Sequence, residues 1–337
     1  MPLRGKEQLN KSVSKYRTSI MGISMLSIML FHQNITSVVP FNFFHIFGYW
    51  GVDAFLFLSG MGLVRSIESN SLPVFYKHRF FRIVPCCIFC GLLKYLSYKL
   101  FFLHSPILRD GLHIGWLTIT GLDLWFIPTI IILYLISPFL YRLLIKNTYL
   151  TVICILLVFF YSGFVMSPEV GFNWFSPIGI LVWTIARVPV FATGILFGIK
   201  KSVFTGRQIF ISTVFFFIAI FLKLMIRFEL LGDWWHTYVL FFLAFGLPAL
   251  LAIIILFVER IPEALNKGID FFGSHSLELY LVHEYVFKAF EISMNNNWKF
   301  FSLLVSFSFS IFTAYLCKIG LEKLKAYFQN KVNTFLV

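Results

Sequence analysis

Charge is what this chain has least of. Asp and Glu number 15 among 337 residues, and all charged residues together make up 13%. A soluble domain of this length would face water with about twice that share, so the composition excludes one. Repeats, low-complexity tracts and polar linkers are also missing. The expectation is a single domain over residues 1–337, with a helical core at about 18–318 and no room between its segments for a soluble insertion. Cysteine is scarce too, with five residues. Three of them (Cys86, Cys87, Cys90) form "CCIFC", which has C-x-x-C spacing, but no second Cys/His pair lies near them in sequence. Small polarizable residues in a membrane helix explain the cluster better than zinc or redox chemistry. No metal and no bound cofactor are expected. Nor is a cleavable signal peptide: residues 1–17 are polar and basic, and the apolar run after them is long enough to remain as a span.

What fills the chain instead is apolar. Hydrophobic residues make up 59%, aromatics 20%, and Phe alone accounts for 44 positions; the mean hydropathy is +0.84. Ten segments approach the ~20 residues that a bilayer requires. They lie at about 18–38, 48–66, 83–103, 124–144, 149–166, 178–198, 209–226, 237–258, 274–292 and 300–318. The pattern predicts an all-α, polytopic membrane bundle of about ten transmembrane helices. The net charge of +13 would suit nucleic acid, but its placement suits a membrane. With a cytoplasmic N-terminus, 20 of the 28 Lys and Arg fall in inside segments, five in outside segments and three within spans. This asymmetry puts both termini in the cytoplasm. A multi-pass protein of the cell membrane in contact with lipid, without a nucleic-acid partner, is the reading that follows.

Ionisable groups within spans cost ~2.5–3.5 kcal/mol on insertion scales and mark function by default. His32 lies near the outer end of the first span, in "ISMLSIMLFHQN", and Asp53 lies near the start of the second, in "YWGVDAFLFLSGMGL". At 1.5 Å per residue both sit roughly 8–9 Å below the outer boundary. Asp53 either orients His32, as a carboxylate orients a catalytic imidazole, or stabilises the N-terminus of its own helix. Arg187 lies mid-span in "WTIARVPVFATG", with Trp183, Phe191 and Gly194 on its face. Too deep to snorkel, it requires an acid or an anionic substrate. Ser276, Tyr280 and His283 form a stripe on the ninth span, serving either as interhelical glue or as part of a site. Arg79 and Arg82, three apart in "FYKHRFFRIVP", share a helical face that suits phosphate, although cytoplasmic anchoring would place basic residues there as well.

Taken in order, these segments resemble the integral-membrane acyltransferase family 3. The family pattern has an Arg and a His in the first span, then segments like "GVDLFFVLSGF", "FxxRRxxRIxP", "WFL", "RxPxFxxG" and "SxxxYLxH". This chain offers His32, "GVDAFLFLSGM", "FYKHRFFRIVP", "LWFIP", "RVPVFATG" and "SLELYLVH", from residue 17 to about 285. The resemblance implies a bacterial enzyme that moves an acyl group, usually acetyl, from acyl-CoA to a hydroxyl of a surface or lipid-linked carbohydrate. His32, Arg79, Arg82 and Arg187 match family positions. The family's first-span Arg falls on Met21 here, and Arg17, one turn earlier, is the available substitute. Acyl-CoA is then the donor substrate, with His32 and Asp53 catalytic and Arg17, Arg79, Arg82, Arg187, Tyr280 and His283 contacting substrate. The alternative class is a transporter or flippase for an anionic or sugar-containing substrate. Against it, the chain shows neither an inverted repeat nor matched broken helices.

Overall fold

A computed structural model of the chain describes residues 9–32, 48–101, 124–165, 177–199, 206–232, 235–293 and 299–335. Parts of the expected spans (33–38, 102–103 and 166) lie outside the described residues. Among those described, every regular element is an α-helix: α1 (Leu9–Lys15), α2 (Arg17–His32), α3 (Trp50–Ser69), α4 (Leu72–Phe101), α5 (Phe126–Lys146), α6 (Thr148–Val165), α7 (Pro177–Ile199), α8 (Gly206–Arg227), α9 (His236–Val258), α10 (Glu263–Ser274), α11 (Ser276–Ser293) and α12 (Lys299–Phe335).

Helix is what an apolar solvent demands, because each backbone N–H and C=O must find its partner within its own segment. The same demand applies to hydroxyls: Ser24, Thr184 and Thr193 donate to the carbonyls of Ile20, Ile180 and Pro189, four residues back. Pro85, Pro138, Pro189 and Pro248 stand inside helices, as membrane helices tolerate. Six helices among the described residues are long and apolar enough to cross a bilayer: Trp50–Ser69, Phe126–Lys146, Ile178–Ile199, Gly206–Arg227, His236–Val258 and Leu304–Lys323; Thr148–Tyr161 is a shorter apolar helix. Their outward faces carry Phe139, Leu157, Ile178, Phe210 and Phe217, each more than 60% exposed. Such faces belong against lipid.

The described chain divides into two compact units, Met1–Phe31 with Ile46–Tyr76 and Trp125–Ser274, and His32–His45 with Lys77–Leu124 and His275–Val337. In the first, α3 and α7 lie along a seam of glycines. A Cβ at Gly60 would collide with Phe191 O, one at Gly194 with Phe57 O, and one at Gly198 would stand 2.8 Å from Met61 O. Only backbones without side chains approach this closely. The pairing climbs together on both helices, from Phe57 with Gly194 to Met61 with Gly198, so α3 and α7 run parallel. Helix α2 crosses α10 by the same device: a Cβ at Gly22 would collide with Ile269 O and one at Gly273 with Thr18 O. There Ser19 donates to Asp270 at 2.6 Å. Helices α8 and α9 form an antiparallel hairpin, with Ser212 donating to Phe245 O and accepting from Ala249 N.

In the second unit α11 and α12 pack antiparallel, Phe287 stacking on Phe307 at 5.5 Å and His275 lying 6.0 Å from Tyr315. Helix α4 reaches α12 where Phe89 abuts Gly320. Cys86, Cys87, Cys90 and Cys317 are buried in this unit, with Cys86 and Cys90 sulfurs 4.0 Å apart.

The glycine seam makes a direct prediction. Gly194→Leu forces α3 and α7 apart, and overpacking of this kind costs ~1–3 kcal/mol or more. The variant should unfold at a lower temperature in detergent, whereas Gly206→Leu, with open space around its Cβ position, should leave the melting temperature in place.

Candidate active site

His32 is the last described residue of α2 and is half-buried. His283 lies two turns into α11 and is 1% exposed. The His283 Nε2 and His32 Nδ1 atoms are 3.2 Å apart, and the rings meet edge to face at 5.0 Å. The other ring nitrogen of His283, Nδ1, lies 2.9 Å from Leu279 O and 3.0 Å from Tyr280 O. A long helical side chain points back over its preceding turn, which brings that nitrogen to those carbonyls. Tyr280, 5% exposed, lies 5.8 Å from the His283 ring, and Phe287 closes on it edge-on at 5.6 Å. Of the stripe Ser276, Tyr280 and His283, it is His283 that meets His32. An imidazole can accept, hold and return a proton, the elementary act of acid–base catalysis.

Asp53 and Arg187 form a second constellation, within the first unit. Arg187 Nη1 donates to Asp53 Oδ1 at 2.6 Å, and both side chains are almost wholly buried, at 4% and 3% exposure. Asp53 stands in the first turn of α3. Its Oδ1 accepts from Arg187, and its Oδ2 finds no hydrogen-bond partner among the described residues. A guanidinium deep in the bundle needs a carboxylate because it stays charged everywhere. Arg187 thus meets an acid, one of the two partners its depth called for. Its guanidinium also lies 5.3 Å from the Trp125 ring and 5.5 Å from the Trp183 ring, the indoles being stacked on each other at 5.1 Å. Indole faces attract cations. Trp183 was legible as a neighbour of Arg187 at helical spacing. Trp125, in "LWFIP", carries no such signal, and only α5 packing on α7 brings it to the cation.

The remaining basic residues separate by role. Arg17 donates to Leu58 O at 2.9 Å and fills the space where a Gly62 side chain would stand. It ties α2 to α3 within the first unit. Arg79 and Arg82 stand on α4, the first half-buried and the second exposed. Among the described residues no three of His, Cys, Asp and Glu come together as a metal site.

Helices long and apolar enough to cross a bilayer, with a buried ion pair among them, define a multi-pass membrane protein. The chain belongs to the acyltransferase 3 family: residues 20–320 match the family's acyltransferase domain, and membership makes it a transferase of acyl groups. No curated protein and no solved structure matches the chain.

The ion pair is expected to be costly to break and cheap to remove whole. Arg187→Met strands a buried carboxylate and should destabilise by ~3–5 kcal/mol. The double change Asp53→Asn with Arg187→Met should recover more than half of that loss. Unfolding in mixed detergent–denaturant micelles measures both, and equal losses for the single and double variants would contradict the coupling.

Proposed function

We propose that this protein transfers an acetyl group, or a short acyl group like it, from acyl-CoA to a hydroxyl of a surface or lipid-linked carbohydrate. The observation that carries the reading is the contact of His32 with His283 in a chain of acyltransferase lineage. The His32 imidazole takes the proton of the acceptor hydroxyl as its oxygen attacks the thioester carbonyl. The carbon–sulfur bond then breaks, and the departing CoA thiolate takes that proton from His32 to become the thiol. A thiolate is a good leaving group, so proton management is the main chemical task.

Arg79 and Arg82 are assigned to the phosphates of CoA. They share one face of α4, and two guanidiniums so placed bind phosphate oxygens by charge-assisted hydrogen bonds. Arg187 serves through its pair with Asp53, which holds α3 and α7 in register, rather than as a free cation. Ten spans with both termini in the cytoplasm belong to the same proposal. Parallel α3 and α7 require an odd number of crossings between them: α5 is long enough for one, and we assign the other two to α4 and the shorter α6.

Membranes containing the protein, supplied with radiolabelled acetyl-CoA, test the reading. CoA should be released and label should enter glycan. His32→Ala should lower both by ~10²–10⁴-fold, the usual worth of a general base, while leaving the amount of folded protein unchanged. Replacing Arg79 and Arg82 with Gln should raise the KM for acetyl-CoA about tenfold or more, since each charge-assisted contact contributes ~1.5–3 kcal/mol. Movement of a carbohydrate across the membrane without CoA release would assign the protein to transport instead.

A further inference from the structure

We propose that His283 is a positioning residue: it fixes the proton of His32 on Nδ1 and so places the lone pair of His32 on Nε2. The inference rests on the reading of His32 as the base of acyl transfer and assigns that base its reactive atom.

The argument follows the hydrogen-bond inventory of one ring into the next. His283 Nδ1 lies 2.9 and 3.0 Å from two backbone carbonyl oxygens, Leu279 O and Tyr280 O. Carbonyl oxygens only accept, so this nitrogen carries a hydrogen and shares it between them. A neutral imidazole has one hydrogen on nitrogen, so His283 Nε2 is an acceptor. The atom facing it at 3.2 Å is His32 Nδ1, which must then donate. With its hydrogen on Nδ1, neutral His32 keeps its lone pair on Nε2. Turning the His283 ring over would set a carbon-bound hydrogen against the carbonyls and lose both bonds, so the orientation is determined by the helix that carries it. The chain of inference starts at two α11 carbonyls and ends at the nitrogen that removes a substrate proton.

Burial gives the device its stability. His283 is 1% exposed and is walled by Tyr280 and Phe287, so water does not compete for Nε2. His32 is only half-buried, as a group that must meet substrate has to be. An imidazole held by a second ring from behind is the arrangement that carboxylates and carbonyls provide in other histidine sites, here supplied by a second imidazole.

The test is ¹⁵N nuclear magnetic resonance of the intact protein labelled at its histidines, in detergent or lipid, with the His32 signals assigned by subtraction of His32→Gln. Protonated and unprotonated ring nitrogens resonate far apart. The expected result is a protonated Nδ1 and an unprotonated Nε2 on His32, and the reverse pattern would overturn the proposal. Variants give a second readout. His283→Gln retains an acceptor for His32 Nδ1, whereas His283→Phe fills the volume without one. Turnover should fall about 10²-fold in His283→Phe, with KM for acetyl-CoA unchanged within a factor of about two, and His283→Gln should recover at least about tenfold of it. Phe matching or exceeding Gln would show that His283 only packs, and would overturn the proposal. The two readings fail separately. An expected His32 tautomer together with an active His32→Ala variant would sink the acyl-transfer role of His32, and the positioning role with it. A reversed tautomer with an inactive His32→Ala would sink the positioning role alone.

Discussion

A guanidinium in the middle of a lipid-embedded bundle cannot give up its charge, and the arrangement of α3, α5 and α7 answers to that constraint. Arg187 takes Asp53 as its anion at 2.6 Å and lies near the stacked rings of Trp125 and Trp183. For the carboxylate to reach it, α3 and α7 must run close together, and the glycines two turns further on, Gly60 and Gly194, allow their backbones to touch. Neither feature suffices by itself. Without the seam the charges would stand apart in an apolar medium, each at several kcal/mol. Without the ion pair the seam would keep its close packing but lose a contact that helps to select its register.

The imidazole pair meets the opposite problem, which is to place polar rings in an apolar interior with their nitrogens bonded. His283 satisfies one nitrogen on its own helix and offers the other to His32. No ion need be buried for this, and a neutral ring loses little on leaving water when both its nitrogens are bonded.

Much of the plan was legible in the residues. The composition demanded a helical membrane protein, and the ordered motifs from residue 17 to about 285 pointed to the acyltransferase 3 family that residues 20–320 match. His32, Asp53, Arg187 and His283 stood out because each places a polar group where apolar surroundings make it expensive. Their pairing was less legible. Equal depth in the bilayer is one coordinate; contact also requires the right face and the right neighbour, and helical spacing supplies the face only within a single segment. Trp125 shows the same limit. Nothing in "LWFIP" distinguishes an indole that packs from one that meets a guanidinium on another helix.

The sequence by itself thus determined the medium, the secondary structure, the family and which side chains must find partners, because each of these follows from composition, local periodicity or motif order. Which partner each one found was decided by tertiary structure alone. Asp53 belongs to Arg187 because glycines 60 and 194 let α3 and α7 touch, and His32 belongs to His283 because α11 presents one ring nitrogen after its own carbonyls have claimed the other. Those pairings join residues 134 and 251 positions apart, and at such separations only packing brings side chains within hydrogen-bond reach.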